Sequence, residues 1–558
     1  MFLSHIRLNR WRGMCPVLAL LSVLAMQFGP CAGRVEAAGG AADERWWDSA
    51  VFYEVFVRSF ADSEQGPLAN DGIGDIRGLI NKLDYLNDGD PDTHDDLGVT
   101  GIWLMPIMQS SSYHGYDTTD YYTVEQDFGT NEDFLDLMEQ AHARGIRVIV
   151  DLVLNHSSHE HPKFVGSGDS RSEFHNWYLW ERRDPGFKGP WGQGVWHNTD
   201  AGYYYGVFAR SMPDLNYENP AVTREMLNVT KYWLTDMQAD GFRLDAIKHL
   251  IEQGEKQEHT PQTHQWLRGF YSYYKRVNPS ALTVGEVWTD TPTVATYVGG
   301  QMDLAFDFDQ AYATIDAART GSKDRLAGSQ AAAWRLFPRG QFATFLANHD
   351  MDRTMSQFGG DVSMAKLAAT IQLTSPGVPF IYYGEEIGMA GHGPHPDIRS
   401  PMQWSGDTRA GFSTVDPWHR LDAGYPQANV AVQDAQTDSL LNLYRRLIRL
   451  RQDHPPLAVG DFAEVQTDHP AVYAYLRRAK GQAVLVVVNL GPKPVDRYML
   501  AMDRRELGRI RGVRELLQGA EASVPHAAPG GGTGGYQPIG ILGARTGYVL
   551  ALDPRIQR

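Results

Sequence analysis

The chain has 558 residues, of which 42% are hydrophobic and 21% are charged, and its formal net charge is −16. These proportions are typical of a globular protein with a large apolar core, and the length predicts three to four domains, or two or three if one of them is a large barrel. The acidic balance argues against binding through charge to nucleic acid backbones or to anionic membrane surfaces, because both would repel the protein.

The first 42 residues have the order of a secretory signal, in which a positive segment precedes an apolar run and then small residues. Arg7, Arg10 and Arg12 come before the apolar run from Met14 to Phe28. That run is too short to span a bilayer, and no later stretch reaches the roughly 18 apolar residues that indicate a transmembrane helix. We therefore predict an exported protein, secreted or periplasmic, without a transmembrane segment.

Both cysteines, Cys15 and Cys31, lie in this leader. The folded part of the protein is therefore expected to have neither disulfides nor thiol chemistry. Cys31 follows the apolar run, as a lipid-modified cysteine would, but Pro30 directly before it fits a lipoprotein signal poorly. Lipid anchoring through Cys31 is the weaker alternative to a free exported protein.

Short runs of β-branched, apolar and aromatic residues alternate with amphipathic helical segments up to about residue 456. The eight runs are Val51–Val57, Gly101–Met105, Arg147–Val153, Gly241–Leu244, Leu282–Val287, Leu304–Phe308, Phe342–Leu346 and Val378–Tyr382. Strands that alternate with helices indicate parallel βα units, and eight units indicate closure of the sheet. The sequence therefore predicts an α/β fold, a (β/α)8 TIM barrel.

Two further segments depart from this alternation. Residues 157–216, after the third strand, are rich in Gly, His, Trp and Tyr and lack long periodicity, which predicts a small domain inserted between barrel parts 43–156 and 217–456. Later strands such as Ala471–Arg478 are apolar or alternating and have no helices between them. Residues 457–558 are therefore predicted to form a C-terminal antiparallel β-sandwich domain.

Acidic residues follow or end four of the predicted barrel strands. They are Asp151, Asp245, Glu286 and Asp350. Because the carboxyl ends of parallel barrel strands share one face, we expect these side chains to converge there. Several carboxylates in one pocket cannot all ionise at low cost, so one of them becomes a proton donor while another stays ionised. Cleavage of a glycosidic bond requires this division of roles.

The sequence around these acids resembles the short motifs of the α-amylase family, glycoside hydrolase family 13, in the family's order. The motifs are Asp151–His156, Met212–Asn216, Gly241–His249, Val284–Trp288 and Phe345–Asp350. The resemblance extends from residue 46 towards the C terminus and becomes weaker in the last domain. It implies that Asp245 is the nucleophile, Glu286 the general acid/base and Asp350 a stabiliser of the transition state. Hydrolysis would then retain the anomeric configuration through a covalent glycosyl-enzyme.

The resemblance also implies that eight other side chains bind substrate: Tyr116, Asp117, His156, Arg243, Lys248, His249, His349 and Arg399. Arg243 stands two residues before Asp245 on a strand, so it points to the same side and keeps that carboxylate ionised. Tyr116 would stack on the sugar at the cleaved bond, and His156 and His349 would form hydrogen bonds with it. Lys248 and His249 would contact the leaving-group side, and Arg399 the glycone end.

The family resemblance implies one or two structural Ca²⁺ ions, which prefer oxygen ligands. One ion would lie between the barrel and the inserted domain, with ligands from Asn155, Asp214 and the backbone carbonyl of His249. The sequence does not identify a fourth ligand for it.

The second ion would lie in an Asp- and Gly-rich loop after the first strand. Its ligands would be Asp62, Asp71, Ile73 and Asp75, although residues inserted after Asp62 depart from the family pattern.

The motif Met212–Asn216 resembles a bacterial α-amylase group that is intermediate between oligo-1,6-glucosidases and neopullulanases. The pair Lys248 and His249 resembles that of α-amylases. We predict a monomeric, endo-acting α-1,4-glucan hydrolase that cleaves starch, maltodextrins and maltooligosaccharides. The alternatives are a neopullulanase-like hydrolase, or an α-glucosidase or oligo-1,6-glucosidase in which Asp117 and Arg399 form a charge pair that closes the glycone end. A non-catalytic binding protein is disfavoured, because all three acids are present.

Overall fold

A computed structural model describes residues 45–503, 510–525 and 533–554. The predicted leader at residues 1–42, with Cys15 and Cys31, lies outside these ranges. Within the described ranges, no helix is both long enough and apolar enough to cross a membrane.

Strands are numbered in chain order over the described residues. They are β1 (Phe52–Val55), β2 (Gly101–Leu104), β3 (Met108–Ser110), β4 (Thr118–Val124), β5 (Arg147–Leu152), β6 (Trp180–Glu181), β7 (Trp196–Thr199), β8 (Gly202–Tyr205), β9 (Gly241–Leu244), β10 (Leu282–Gly285), β11 (Leu304–Ala305), β12 (Ala343–Thr344), β13 (Val378–Tyr382), β14 (Ala463–Thr467), β15 (Val472–Ala479), β16 (Gln482–Asn489), β17 (Leu500–Asp503), β18 (Ile510–Glu515), β19 (Thr533–Tyr536) and β20 (Thr546–Pro554).

Helices are numbered in the same way. They are α1 (Val57–Phe60), α2 (Ile76–Ile80), α3 (Leu83–Leu86), α4 (Asn131–Ala143), α5 (Pro162–Ser167), α6 (Pro220–Thr235), α7 (Pro261–Val277), α8 (Thr291–Ala295), α9 (Phe308–Thr320), α10 (Asp324–Leu336), α11 (Thr354–Gln357), α12 (Val362–Thr374), α13 (His395–Ile398), α14 (Val430–Asp434), α15 (Leu440–Asp453) and α16 (Pro455–Val459).

The eight predicted barrel strands are confirmed and form one parallel sheet in the order β11-β10-β9-β5-β2-β1-β13-β12. A parallel bridge between Phe306 and Ala343 joins the segments at the two edges, so the sheet closes into a barrel. Strands β1, β2, β9, β10 and β13 are buried at every position. This is expected of parallel strands with helices outside them and side chains packed inside the barrel.

Helix α6 illustrates how the sequence forms the outer layer. The side chain of Asn219 accepts a hydrogen bond from the backbone of Ala221, and Pro220 occupies the first helical position, so the helix begins there. Its buried residues recur at helical spacing and are Val222, Met226, Val229, Thr230, Trp233 and Leu234. This apolar stripe packs against the barrel and leaves the strand ends free to carry functional side chains.

The inserted segment follows β5 and therefore lies at the carboxyl end of the barrel strands. It contains α5 and a three-stranded antiparallel sheet in the order β6-β8-β7. An antiparallel bridge between His156 and Asp214 joins the two ends of the segment. Since His156 directly follows Asn155 in the first motif, the segment begins and ends beside the acidic strand ends.

The last seven strands form an antiparallel sheet in the order β18-β20-β16-β15-β14-β17-β19. Strand β14 pairs with β15 through Ala463–Val465 and with β17 through Gln466–Thr467. Val472 and Leu485 from one half of this sheet and Leu500 and Tyr536 from the other belong to the same buried cluster. The two halves therefore share one apolar core, in agreement with the predicted C-terminal β domain.

Candidate active site

Arg243 lies at the centre of the acidic residues at the ends of the barrel strands. Its side chain is 1% exposed. One terminal nitrogen, Nη1, donates to both carboxylate oxygens of Asp151 at 3.0 Å and to Oδ1 of Asp245 at 2.7 Å. The other, Nη2, donates to Oε2 of Glu286 at 2.8 Å. One buried guanidinium thus gathers carboxylates from the neighbouring strands β5, β9 and β10, because these strand ends share one face of the barrel.

The carboxyl group of Glu286 is held where it can keep a proton near neutral pH. The backbone N–H of Ala246 donates to its Oε2 at 3.1 Å, and Ala246 has a φ of +48°, which non-glycine residues rarely adopt. Burial raises the pKa of Glu286 to about 7, Arg243 opposes this rise, and Asp245 and Asp350 add to it. A carboxylic acid with this pKa can protonate a leaving group and later accept a proton from water.

Asp245 and Asp350 line the same cavity in different electrostatic surroundings. Burial raises the pKa of Asp245 above its ordinary value, while the 2.7 Å ion pair with Arg243 favours its ionised form. Burial would also raise the pKa of Asp350, but His349 and Arg399 outweigh it and hold that pKa well below its usual range. These two partners lie 3.1 Å and 2.8 Å from the Asp350 carboxylate. The site therefore combines an ionised carboxylate with a protonatable one.

His349 is fully buried and has a partner at each ring nitrogen. Nδ1 lies 2.6 Å from Oε1 of Glu54 on β1, and Nε2 lies 2.6 Å from the hydroxyl oxygen of Tyr116. That hydroxyl in turn donates to Asp151 at 3.0 Å. Burial lowers the pKa of His349, but the carboxylates of Asp350 and Glu54 raise it by more, to about 9. The ring is therefore an imidazolium that orients Tyr116, whose ring stacks on it with centroids 5.4 Å apart.

A cavity of about 630 Å³ opens above these carboxylates. Its lining includes eight side chains that the sequence analysis selected: Tyr116, His156, Asp245, Lys248, His249, Glu286, Asp350 and Arg399. The lining also includes the unselected side chains of His114, Trp191, Phe208, Met212, Trp288 and His395. Aromatic walls suit the apolar faces of sugar rings. Three selected residues, Asp117, Arg243 and His349, lie behind the wall and support the side chains that line it.

His156 lies in the cavity wall beside the inserted segment. Its Nε2 donates to the carbonyl oxygen of Tyr116 at 3.0 Å, and its Nδ1 lies 3.0 Å from the side-chain oxygen Oδ1 of Asn155. Burial lowers the pKa of His156 to about 4, so the ring is neutral. A neutral ring that donates from Nε2 has an acceptor at Nδ1, so a hydrogen bond to Asn155 would require its NH₂ group, and not its oxygen, at this position.

The charge pair between Asp117 and Arg399, expected for an exo-acting enzyme, is not among the ion pairs of the described residues. Arg399 donates instead from Nη2 to Asp350 at 2.8 Å and from Nε to the carbonyl oxygen of His349 at 2.9 Å. Asp117 is buried and accepts hydrogen bonds from the hydroxyl groups of three consecutive serines, Ser110–Ser112. These hydroxyl groups are the hydrogen-bond donors to the Asp117 carboxylate in place of Arg399.

Lys248 and His249 lie on the side of the cavity that carries Trp288. Nζ of Lys248 donates to the backbone carbonyl of Trp288 at 3.1 Å and forms an ion pair with Glu258 at 2.9 Å. Burial lowers the pKa of His249 to about 4, so its ring is neutral, and Nδ1 donates to the backbone carbonyl of Gln257 at 2.9 Å. These bonds fix the loop after β9 next to the predicted acid/base.

Sequence reasoning did not select several residues that build the site. One signal could have found Glu54, since it is the only charged residue in the buried strand β1. Met212 and Trp288 lie within the family motifs, but the motifs gave them no role. Trp191 and Phe208 belong to the inserted segment, where no periodicity indicates which aromatic side chain reaches the cavity.

The ligands predicted for the first calcium ion lie together. The side-chain nitrogen of Asn155 is 2.8 Å from the carbonyl oxygen of His249 and 3.3 Å from Oδ2 of Asp214. Glu252, which the sequence analysis did not select, shares a hydrogen bond with Asp214, and its Oε1 is buried without a hydrogen-bond partner. Over the described residues, no group of three or more His, Cys, Asp or Glu side chains is gathered to hold a metal ion. An ion here would therefore need the amide and carbonyl oxygens as well.

Three of the four ligands predicted for the second calcium ion, Asp62, Asp71 and Asp75, accept hydrogen bonds from backbone N–H groups. Asp62 accepts from two backbone N–H groups at 3.0 and 2.9 Å. Asp75 accepts from two others at 2.7 and 3.1 Å and caps helix α2. Asp71 accepts from the N–H of Ile73 at 2.8 Å. Because these bonds account for the loop without an ion, the second site stays a prediction.

Comparisons with known proteins agree with this geometry. A sequence model of the family described as "Alpha amylase, catalytic domain" matches residues 54–460. Alpha-amylase 3 of Dictyoglomus thermophilum is 37% identical over 455 residues, which cover 80% of this chain and 86% of that protein. An oligo-1,6-glucosidase of Parageobacillus thermoglucosidasius is 31% identical over 535 residues, which cover 81% and 92% respectively. A crystal structure of an alpha-amylase from H. orenii superposes with a TM-score of 0.79 at 38% identity, covering 90% of this chain and 99% of that one.

The matched range includes the inserted segment, almost all of the barrel and the carboxylates gathered by Arg243. The resemblance inferred from the five motifs is therefore confirmed. The chain belongs to the α-amylase family, glycoside hydrolase family 13, and is a glycoside hydrolase.

Proposed function

We propose that this glycoside hydrolase is a retaining, endo-acting α-amylase that cleaves α-1,4 linkages in starch and maltodextrins. The observation that carries the proposal is the guanidinium of Arg243, which bonds Asp245 through Nη1 and Glu286 through Nη2. Two carboxyl groups on one guanidinium lie close together, and retaining glycosidases need them only about 5 Å apart.

The proposed reaction begins when Asp245 attacks the anomeric carbon while Glu286 gives its proton to the glycosidic oxygen. The bond from the anomeric carbon to that oxygen breaks, and a glycosyl ester of Asp245 forms. The Glu286 carboxylate then takes a proton from water, whose oxygen attacks the same carbon and releases Asp245. Asp350 holds sugar hydroxyl groups, and its negative charge stabilises the oxocarbenium-like transition state.

Endo action is supported by the partners of Arg399 and Asp117. Arg399 is bound to Asp350 and His349, and Asp117 is bound to serine hydroxyl groups, so the charge pair expected of an exo-acting enzyme is replaced by other contacts. The similarity to Alpha-amylase 3 favours the same activity. The similarity to an oligo-1,6-glucosidase favours an α-1,6 preference, which is the second candidate function.

The distribution of early products tests the proposal. Soluble starch should give a mixture of maltooligosaccharides, isomaltose should stay intact, and ¹H NMR should detect the α-anomer first. The Glu286→Gln variant serves as the inactive control. Glucose as the sole product would overturn endo action, cleavage of isomaltose would favour the second candidate, and initial release of the β-anomer would overturn retention.

We also propose that one Ca²⁺ ion binds at the junction of the barrel and the inserted segment. Side-chain amides can turn by 180°, and turning that of Asn155 would let its NH₂ group donate to the acceptor nitrogen of His156. The Asn155 oxygen would then face the carbonyl of His249 and the carboxylate of Asp214, beside the orphaned oxygen of Glu252. Four oxygen donors with two carboxylates fit Ca²⁺, which would link the inserted segment to the barrel.

We propose that the enzyme is exported and acts as a free monomer. Arg7, Arg10, Arg12 and the apolar run that follows support export, and polymeric starch is met outside the cytoplasm. Cell fractionation and N-terminal sequencing would test this proposal. A membrane-bound product that a Cys31→Ser substitution releases would favour lipid anchoring instead.

A further inference from the structure

His395 lies in the wall of the catalytic cavity next to Arg399. Nη2 of Arg399 donates to Nδ1 of His395 at 2.9 Å and to Oδ1 of Asp350 at 2.8 Å. A guanidinium group has only donors, so Nδ1 of His395 must be the acceptor in this bond. The ring is therefore neutral and carries its proton on Nε2. Burial and the positive charge of Arg399 lower the pKa of His395, which agrees with a neutral ring.

The Nε2–H group of His395 is available to a ligand. The bonds made by the two ring nitrogens diverge, so Nε2–H points away from Arg399. The side chain is 56% exposed, and among the described residues no group accepts a hydrogen bond from Nε2. Sugar hydroxyl oxygens accept hydrogen bonds, so a free donor in the wall of this cavity matches them.

The turn that carries His395 is held by the barrel and by a later loop. His395 begins the short helix α13, and the hydroxyl of Tyr382 on β13 donates to the carbonyl of Ile398, at the end of that helix, at 3.0 Å. Asp397 in the same turn accepts from Nε2 of His419 at 2.8 Å. The ring therefore has its position before a substrate binds, and a preorganised donor loses little free energy to ordering on binding.

The contacts of His395 indicate on which side of the scissile bond it lies. Lys248 is bonded to the carbonyl of Trp288, two residues after Glu286, so these side chains lie beside the proposed acid/base. Nδ1 of His395 instead lies 3.7 Å from Oδ1 of Asp350. Because the acid/base protonates the leaving-group oxygen, its own side receives the leaving group and the Asp350 side receives the glycone.

We infer that His395 is a specificity-determining residue for the second glucosyl unit on the glycone side, to which its Nε2 donates a hydrogen bond. This inference rests on the proposed function, in which Asp350 holds the first unit, at the cleaved bond. His395 and Arg399 lie beyond Asp350, so they face the next unit of the chain. The enzyme should therefore use a substrate with two glycone units better than a substrate with one.

Two glycosyl fluorides test this inference, because both release fluoride and they differ only in the glycone. α-Maltosyl fluoride has two glucosyl units, and α-glucosyl fluoride has one. His395→Phe keeps a ring without its nitrogens and should lower kcat/KM for α-maltosyl fluoride about fivefold, as expected for the loss of one hydrogen bond. For α-glucosyl fluoride the change should be less than about twofold. His395→Gln should restore part of the loss, because its amide supplies an acceptor for Arg399 and a donor for the sugar.

His392→Phe is the matched control, because His392 is an exposed histidine of the same segment and is not part of the cavity lining. It should change neither value of kcat/KM. Equal losses on the two fluorides in His395→Phe would show that His395 only supports Arg399 and Asp350, and would overturn the inference, as would no loss on α-maltosyl fluoride. If the unaltered enzyme hydrolyses both fluorides with the same kcat/KM, the proposed function stands and the inference fails. If it hydrolyses neither fluoride, the proposed retaining mechanism fails and the inference fails with it.

Discussion

His349 and Glu54 form a buried ion pair inside the barrel, with Nδ1 of the histidine 2.6 Å from Oε1 of the glutamate. The pKa of His349 in the folded protein is about 9, above the ordinary value of 6.5. A raised histidine pKa adds stability that is fully present below pH 6.5 and is lost as the pH rises through 9. A shift of this size corresponds to roughly 3 kcal/mol.

We therefore expect the thermal unfolding temperature to fall between pH 7 and pH 10, and Glu54→Gln to reduce this fall. Differential scanning calorimetry at several pH values would measure both effects. Glu139→Gln, at an exposed position of α4, is the control and should keep the slope of the unaltered protein. An unchanged slope in Glu54→Gln would show that other groups cause the pH dependence.

The raised pKa of Glu286 predicts the alkaline limit of activity. The general acid must be protonated in the free enzyme, so kcat/KM should fall as the pH rises through about 7. A profile of kcat/KM for maltohexaose between pH 4 and pH 9 measures this limit. The residual activity of Glu286→Gln should not show this alkaline limit. If the limit persists in that variant, another group causes it.

The effect on the rate of removing the acid/base, Glu286, should depend on the leaving group. Glu286→Gln should lower kcat for maltohexaose by about 10²- to 10⁴-fold, because an alkoxide leaves poorly without a proton. With α-maltosyl fluoride the first step needs no proton, so the variant should release a burst of fluoride. Mass spectrometry should then detect a maltosyl ester on a peptide that contains Asp245.

Asp245→Asn should abolish both the burst and the ester. A maltosyl ester on another residue, or similar losses for the two substrates in Glu286→Gln, would contradict the roles proposed for Asp245 and Glu286.

Removal of calcium should destabilise the enzyme if the proposed site holds the ion. Chelation with EDTA should lower the unfolding temperature, and added Ca²⁺ should restore it, because an ion that binds only the folded state adds about 2.7 kcal/mol at 100 times its Kd. Asp214→Asn and Glu252→Gln should both weaken this response. Asp71→Asn alters only the loop predicted for the second ion, so it distinguishes the responses of the two sites. An undiminished response in both Asp214→Asn and Glu252→Gln would overturn the site at the junction.

The sequence alone determined the barrel and the identity of its acids. Runs such as Gly241–Leu244 are mostly apolar because parallel strands are buried on both faces. This pattern can be read directly from the local sequence. Asp245 and Glu286 could be placed together because each follows such a strand, and the ends of parallel strands meet at one face. These inferences need only local pattern and one rule of topology.

The tertiary structure decided the contacts between side chains that are far apart in the chain. Glu54 forms an ion pair with His349, which is 295 residues away in the chain. Arg399 donates a hydrogen bond to Asp350, whereas Asp117 accepts hydrogen bonds from serine hydroxyl groups. The position of Trp191 depends on a loop fixed by Gln257, without any repeating pattern in the sequence. Such partners are selected by the distance and orientation of groups brought together on folding, which strand periodicity does not specify.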